Sequence, residues 1–267
     1  MLFNPSLEST DERDLTFCRH STLEKFRESP AYFKAYFIDK TIEVPEPSAQ
    51  MRIGSAVDAM LLAPEKHITV IDNVLSKSTS KASMAKKKEV KSRLWLNQAD
   101  YDTARRTFAA ILAHPDSSAI LAQPRESQKQ VFWGCQWTEF PKRGTLDILT
   151  SSMIVDLKTT ASWNLGRRRL SNHIFQSGHH RQLAMYQEGV EAAIGELLPT
   201  KLLYAGTDPP YEVVVIDVDG AELDLGWREN RAACLDLEEA YAYQDWTSRN
   251  KQKRAVFSNW ALGAERC

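Results

Sequence analysis

Two aspartates and a lysine stand out within the mostly apolar residues 143–160, RGTLDILTSSMIVDLKTT. Asp147 lies in the first of two short apolar runs, and Asp156 and Lys158 lie in the second, with a polar break at 150–152 between them. Two apolar runs around a polar break are typical of a β-hairpin. Both aspartates are equidistant from the centre of that break, so the hairpin would place them opposite each other with Cβ atoms roughly 5 Å apart. Two carboxylates at that separation can share a divalent metal ion.

Strand alternation would place Lys158 on the same face as Asp156, whereas Leu157 would point into the core. This pattern allows two interpretations. The acid and the lysine could form a surface ion pair on an exposed strand, which would contribute about 0 to 1 kcal/mol. Alternatively, a carboxylate on a mostly apolar strand could be compensated by a metal ion, because burying its charge without a partner is costly.

Asp147 followed by Asp156-Leu157-Lys158 resembles the D…(D/E)-x-K core of the PD-(D/E)xK nuclease superfamily. Gln182 and Tyr186 form a Q-x-x-x-Y string that is similar to a motif of the RecB-like and RecE-like exonuclease branch. These two residues, at positions i and i+4, would share one face of a helix.

A further part of the resemblance lies upstream, where Gly54 and Asp58 form a G-x-x-x-D string. The string is similar to the G-x-x-x-H helix of the same branch, and Gly54 would let another backbone approach closely. Aspartate stands where that branch has histidine, and it is a good oxygen ligand for Mg²⁺ or Mn²⁺. Asp58 is therefore either a metal ligand or a solvated helix residue. The resemblance covers roughly residues 20 to 190.

The fold that this resemblance implies is α/β, a restriction-endonuclease-like core with a central mixed β-sheet flanked by helices. One domain would span residues 1–267. Residues 1–115 would be mainly helical, and residues 116–267 would hold the catalytic sheet and the helices that follow it.

The resemblance also implies the roles of individual residues. The metal would be Mg²⁺, with Mn²⁺ able to substitute, and Lys158 would position and help to deprotonate the attacking water. Gln182 and Tyr186 would orient the water, the lysine or the DNA backbone. The implied catalytic residues are Lys158, Asp156, Asp147, Gln182 and Tyr186. The implied metal ligands are Asp147, Asp156, the Leu157 carbonyl and Asp58.

The implied activity is that of a Mg²⁺-dependent exodeoxyribonuclease that degrades linear double-stranded DNA 5′ to 3′. It would leave 3′ overhangs for phage-type homologous recombination. Its partners would be double-stranded DNA ends and a single-strand annealing protein, and a homo-oligomeric ring is expected by analogy. A related endonuclease, a Cas4-like nuclease and a non-catalytic DNA-end-binding recombination factor are alternatives, although the sequence lacks the cysteine quartet of the Cas4-like proteins. An enzyme for a small phosphorylated substrate is disfavoured because no Gly-rich phosphate loop is present.

Basic residues are concentrated near the proposed site, although the whole chain has a net charge of -1. Residues 141–181 contain seven Lys or Arg and two acids, whereas residues 217–239 contain two arginines and eight acids. Such segregation is expected where a polyanion approaches. A second basic run at 76–93 is either a phosphate-contacting arm or simply solvated. The candidate DNA-binding residues are Arg167, Arg168, Arg169 and Arg181.

The composition, 43% hydrophobic and 26% charged over 267 residues, is typical of a globular protein. The sequence shows no signal-peptide pattern and no run of 18 apolar residues, so a cytoplasmic protein without a membrane segment is expected. Four scattered cysteines without a C-x-x-C pair argue against a zinc ribbon or an iron–sulfur cluster. Adjacent His179 and His180 would point in different directions on a helix, which disfavours a shared zinc ion.

Periodicity predicts the elements around the hairpin. A first helix would begin at Ser21 with a capping box formed by Ser21 and Glu24, and it would end at Ser29-Pro30. Glu126, near the start of the first strand, is a candidate for indirect support of the metal site. Further helices are expected at 51–62, 101–113 and 223–243, and further strands at 126–137, 201–204 and 211–218.

Overall fold

The structure, a computed structural model, describes residues 13–71 and 94–247. Seven strands are present there: β1 (Ile68–Ile71), β2 (Leu94–Asn97), β3 (Arg125–Gly134), β4 (Pro141–Thr150), β5 (Ile154–Thr160), β6 (Thr200–Gly206) and β7 (Val213–Val218). The last five form one sheet in the order β3-β4-β5-β6-β7. Strands β5 and β6 are parallel, and the other neighbours in this sheet are antiparallel. The predicted α/β fold with a central mixed sheet is therefore confirmed.

Helices flank the sheet, and a single 3₁₀ turn, Ser162–Leu165, follows β5 directly. The helices are α1 (His20–Glu28), α2 (Pro30–Phe33), α3 (Ala49–Leu62), α4 (Gln98–Ala113), α5 (Pro115–Leu121), α6 (Arg167–Gln176), α7 (His179–Ile194) and α8 (Gly220–Tyr243). A π-helical turn, Lys34–Ile38, continues α2. Helices α6 and α7 connect β5 to its parallel neighbour β6, as a parallel pair requires.

The β4–β5 hairpin has the register expected from the sequence. Ile148 pairs with Val155, and Leu149 pairs with Ile154, so the hairpin is centred between Ser151 and Ser152. Regular pairing ends at Ile148 and Val155. Asp147 and Asp156, the next residues along each strand, therefore lie opposite each other at the point where the hydrogen-bonded ladder stops.

The two faces of the sheet pack against different helices. Val155 and Leu157 belong to a buried cluster that includes Val57 of α3. Ile154 belongs to a separate cluster with Met185 of α7. Alternation along β5 thus places Asp156 and Lys158 on the Ile154 side and Leu157 in the core, as predicted.

Several local expectations were wrong. Helix α1 begins at His20 after Arg19, without a side-chain cap, so the capping box of Ser21 and Glu24 does not form. The Glu24 carboxylate instead binds Arg27 and Arg181.

Other differences concern the first strand and the N-terminal part. Trp137 lies beyond the end of β3. The short parallel pair β1 and β2 had no clear sequence signal. The basic run at 76–93 and the basic tail at 249–254 lie outside the described residues. Within the described residues, no helix is long and apolar enough to cross a membrane.

A buried ion pair fastens α7 to the sheet. Lys142 of β4 is 0% exposed, and its Nζ lies 2.9 Å from both carboxylate oxygens of Glu188, a residue of α7 that is 3% exposed. The ammonium also lies 4.8 Å from the centre of the Trp137 ring. Removing one partner of such a pair leaves an uncompensated buried charge.

Lys142→Met is therefore expected to lower the free energy of unfolding by about 3 to 5 kcal/mol. Lys201→Met is the matched control, because Lys201 is also a strand lysine but pairs with Asp217, whose side chain is 70% exposed. Its expected loss is about 0 to 1 kcal/mol. Urea denaturation of both variants measures the difference, and equal losses would contradict the structural role assigned to Lys142.

Candidate active site

Helix α3 brings Asp58 to the sheet. The Ser48 side chain accepts a hydrogen bond from the Met51 N–H and so caps the start of the helix. A Cβ atom at Gly54 would lie 2.8 Å from Oγ1 of Thr159, so only glycine lets α3 lie this close to β5. Asp58 is one turn further along the same face of α3. The sequence predicted that another backbone would approach Gly54 closely; the atom that lies close is instead in a side chain of β5.

Asp147 is held by two hydrogen bonds at the end of the hairpin ladder. Its Oδ2 accepts from the backbone N–H of Leu157 at 2.9 Å, and its Oδ1 accepts from Nε2 of Gln128 at 3.1 Å. The Leu157 N–H of β5 therefore donates to the side chain of Asp147 and not to a backbone carbonyl of β4. The orientation of Asp147 is therefore set by β5 on one side and by β3 on the other.

Asp156 is buried, with 1% of its surface exposed. Its Oδ2 forms an ion pair with Nζ of Lys158, whose side chain is 21% exposed. The interpretation of these residues as a surface ion pair is therefore wrong. Burial of a charged pair is costly unless both charges are well compensated. Asp156 and Lys158 are thus a largely buried ion pair, which suggests a functional site at this position.

Helix α7 supplies Gln182 and Tyr186 to the same region. Nε2 of Gln182 donates to the Tyr186 hydroxyl at 2.7 Å, so the two residues share a face as their spacing predicts. A Cβ atom at Gly144 would lie 2.9 Å from the Tyr186 ring, so the glycine in β4 makes room for that ring. Burial, together with the charges of Asp156 and Asp147, raises the pKa of Tyr186, which keeps its phenol neutral.

The electrostatics show that three carboxylates act on one another here. Burial raises the pKa of Asp58 to about 6; the Lys158 charge opposes this rise and the Asp156 charge adds to it. Burial and the charges of Asp156 and Asp58 also raise the pKa of Asp147. Burial lowers the pKa of Lys158, but the carboxylates of Asp156 and Asp147 outweigh it and raise the pKa overall. Lys158 is therefore an ammonium ion, and the ionisation of all three carboxyl groups together is unfavourable.

The chemistry of these three side chains suits a divalent cation. Carboxylates offer oxygen ligands, which Mg²⁺ and Mn²⁺ prefer, and a cation would reduce the repulsion among them. Within residues 13–71 and 94–247, however, no group of three or more Asp, Glu, His or Cys side chains is arranged so that it could hold a metal ion. The carboxylates of Asp147 and Asp156 are instead engaged by Gln128, Lys158 and the Leu157 N–H.

Gln128 is a site residue that the sequence analysis missed. Ser127 pairs with Ile148 and Lys129 pairs with Leu146, so Gln128 stands opposite Asp147 across the β3–β4 pair. Its φ of 53° lies in the left-handed region, which non-glycine residues seldom occupy. Such a conformation costs of order 1 to 3 kcal/mol and often occurs at functional sites. Only the register of β3 against β4 could have shown this contact.

The two adjacent histidines of α7 have separate surroundings. Nδ1 of His179 contacts the Tyr204 hydroxyl, whereas Nε2 of His180 lies 3.2 Å from a carboxylate oxygen of Glu229. Burial lowers the pKa of His179 to about 2, and the charge of Lys158 adds to the effect. His179 is therefore a neutral imidazole on which the charge of Lys158 acts. This interaction had no signal in the sequence.

The candidate DNA-binding arginines fall into two groups. Arg167, Arg168 and Arg169 begin α6 and are exposed. Arg181 instead bridges Glu24 at 2.7 Å and Glu229 at 2.9 Å. Because both carboxylates already engage the Arg181 guanidinium, a phosphate could bind there only by replacing one of them. In the structure, Arg181 connects α7 to α1 and α8.

Glu126 also lies apart from the site. It forms an ion pair with Lys129, and its side chain is 58% exposed. The hydrogen bonds of Asp147 and the ion pair of Asp156 with Lys158 are made with other residues. Gln128, two residues further along the same strand, is the residue of β3 that touches the site.

A mixed sheet carrying Asp147 and the Asp156-x-Lys158 pair on adjacent strands defines a PD-(D/E)xK-type domain. The chain belongs to the family described as "PDDEXK-like domain of unknown function (DUF3799)", whose model matches residues 19–252. The resemblance to the PD-(D/E)xK superfamily is thereby confirmed. No curated protein matches the chain.

Two solved structures are similar to this chain. One is described as a "Putative exonuclease" from Eubacterium rectale; it is 17% identical, the match covers 100% of both chains, and the TM-score is 0.66. Another is described as a phage related exonuclease from Haemophilus somnus 129PT; it is 14% identical, with 85% of this chain and 96% of that chain covered and a TM-score of 0.37. At this identity, the first similarity establishes the fold.

Removing one carboxylate should stabilise the metal-free protein. The pKa of Asp58 is raised to about 6 in the folded state from a usual value of 3.8, so folding favours its protonated form. The contribution of this protonated carboxyl group to the free energy of unfolding is fully present below about pH 4 and is lost as the pH rises through about 6. In EDTA, Asp58→Asn should therefore raise the free energy of unfolding by about 1 to 3 kcal/mol at pH 8 and leave it nearly unchanged at pH 4.

Urea denaturation at the two pH values measures this effect. Asp217→Asn is the control, since its carboxylate is 70% exposed and lies outside the site. A loss of stability in Asp58→Asn at pH 8, or an equal gain at both pH values, would show that Asp58 is not a strained member of the carboxylate group.

Proposed function

We propose that this protein is a Mg²⁺-dependent deoxyribonuclease that degrades linear double-stranded DNA from its ends. The observation that carries the proposal is the placement of Asp147 and the buried Asp156–Lys158 ion pair opposite each other at the end of the β4–β5 ladder, where Asp147 accepts from the Leu157 N–H. The charges of Lys158 and Asp156 also act on the carboxyl group of Asp58. Phosphodiester hydrolysis needs a metal site, an activated water and positive charge near the phosphate. The three carboxylates would hold the metal ion, and Lys158 would supply the positive charge and orient the water.

In this proposal, Asp147, Asp156, Asp58 and the Leu157 carbonyl hold the metal ion. The bound ion would supply Lewis acidity at the scissile phosphate and lower the pKa of a bound water. The raised pKa of Lys158 favours its role as a positive charge that offsets the phosphate and orients the water. It does not favour Lys158 as a proton acceptor in the metal-free protein.

Residues of β3 and α7 support this group. Gln128 orients Asp147 through the hydrogen bond to Oδ1. Tyr186 remains a neutral hydrogen-bond donor, and Gln182 fixes its hydroxyl. Such outer partners keep reacting groups in their productive positions.

The choice of an exonuclease rests on resemblance. The Q-x-x-x-Y string is similar to the RecB-like and RecE-like branch, and the description of the Eubacterium rectale protein agrees with it. We extend this to 5′ to 3′ digestion that leaves 3′ overhangs for phage-type recombination. An annealing protein as partner and a ring assembly would follow from the same analogy.

A DNA-end-binding protein without cleavage activity is the second candidate. It is favoured by Asp58, which stands where the related branch has histidine. It is also favoured because no group of three or more Asp, Glu, His or Cys side chains among the described residues could hold a metal ion. DNA binding without cleavage in both Mg²⁺ and Mn²⁺ would establish this alternative.

Cleavage should depend on the acid–lysine pair. Asp156→Ala and Lys158→Ala are each expected to lower the rate on end-labelled linear duplex by about 10³-fold or more, because each removes a group that acts on the reacting phosphate. A closed circular duplex should resist the wild type, and EDTA should abolish activity. Gel analysis of the products shows whether nucleotides leave from 5′ ends. Full activity in either variant would contradict the assigned site.

Gln128→Ala should weaken Mg²⁺-dependent cleavage by about 10- to 100-fold, because Asp147 loses a partner that orients it. Gln130→Ala is the matched control: Gln130 lies two residues further along β3 and is exposed. Titration of activity against Mg²⁺ concentration should show a higher requirement for the metal in Gln128→Ala only. Identical titrations for both variants would remove Gln128 from the site.

A further inference from the structure

An exposed aromatic ring follows the catalytic strand. Trp163 lies in the 3₁₀ turn after β5 and is 61% exposed. It is the only exposed tryptophan in the part of the chain that the structure describes. Single exposed apolar residues are common on protein surfaces, so exposure alone assigns no role. The position and the neighbours of this ring are more informative.

The residues on both sides of Trp163 are held by hydrogen bonds, one to the loop after β6 and one to the end of β5. The Ser162 N–H donates to Oδ1 of Asp208 at 2.5 Å, and the Asn164 side chain donates to Oγ1 of Thr160 at 2.9 Å. Trp163 follows Lys158 by five residues, so their Cα atoms are at most about 18 Å apart. The indole therefore lies within a few nucleotides of the proposed site of cleavage.

Arg169 covers one side of the indole. Its guanidinium carbon lies 4.3 Å from the centre of the Trp163 ring. Because the residue remains 61% exposed, the opposite side of the ring is open. Arg167 and Arg168 are exposed beside it, and none of the ion pairs among the described residues uses these three arginines. An open aromatic face thus stands within a patch of unneutralised positive charge.

Helix α6 also carries a histidine on the side of Arg169. Arg169 and His173 are four residues apart on α6 and share a face. The His173 ring lies 5.6 Å from the ring of His179, a residue of α7. The helix that backs Trp163 thus packs against the helix that carries Gln182 and Tyr186.

We propose that Trp163, backed by Arg169, is a stacking platform for an unpaired nucleobase of the DNA strand that enters or leaves the site. Arg167 and Arg168 contact the phosphates beside that base. Aromatic rings bind unpaired bases through stacking that depends little on sequence, and arginines in such grooves follow the backbone. The inference rests on the proposed function for its choice of ligand. It adds a single-stranded subsite to a site that acts on duplex ends.

The platform can be tested by binding, without cleavage. The full-length chain in EDTA is titrated into a fluorescein-labelled single strand of about 15 nucleotides, a length within the usual range of such sites. A second strand of the same length carries only abasic residues, so it has the phosphates without the bases. Fluorescence anisotropy gives Kd for both strands.

Trp163→Ala should raise Kd for the base-containing strand by about 5- to 100-fold and leave Kd for the abasic strand unchanged. Trp163→Phe should retain most of the affinity, because it keeps an aromatic face. Arg168→Ala should raise Kd for both strands by the same factor, since it removes a phosphate contact. Tyr243→Ala is the control, because Tyr243 is 76% exposed at the far end of α8.

Wild-type affinity of Trp163→Ala for the base-containing strand would overturn the platform, and so would an equal rise in Kd for both strands. Cleavage of linear duplex by the wild type in Mg²⁺ is measured in parallel. A chain that loses base-dependent binding in Trp163→Ala but cleaves no DNA contradicts the nuclease proposal alone. A chain that cleaves DNA while Trp163→Ala binds like the wild type contradicts the platform alone.

Discussion

The site depends on the electrostatic interaction of three carboxyl groups, those of Asp58, Asp147 and Asp156, with the ammonium of Lys158. Ionising all three carboxyl groups together is unfavourable in a folded chain, because burial and mutual repulsion both oppose ionisation. The raised pKa values of Asp58 and Asp147 express that cost. In the proposed function, a bound divalent cation would offset it.

The scaffold keeps this unfavourable group in place by close packing of rigid elements. Gly54 lets α3 contact β5, and Gly144 makes room for the Tyr186 ring of α7. The buried pair of Lys142 and Glu188 fastens α7 to β4. Donors on helices and strands are held more precisely than donors on loops. The surface after β5 is built differently, since Trp163 and its arginines remain open to solvent.

Short-range patterns made the β4–β5 hairpin predictable. The symmetry of the sequence about a polar break predicted the register of its strands. Strand alternation predicted that Asp156 and Leu157 lie on opposite faces of the sheet. Helical spacing predicted that Gln182 and Tyr186 share one face of a helix. The burial of Asp156 was not predictable, because it depends on which helices cover the sheet. Gln128 was missed since its contact depends on a register across a separate pair of strands.

The predicted capping box failed for a related reason. Glu24 has distant partners in the fold, above all Arg181, and these outcompete a local bond to the backbone.

Calorimetric titration of the metal-free chain with Mg²⁺ near pH 6 tests the central claim most directly. The account predicts binding with release of protons, because ionised carboxylates are required, and loss of binding in Asp156→Asn. Absence of Mg²⁺ binding, or equal binding without proton release in wild type and variant, would contradict it.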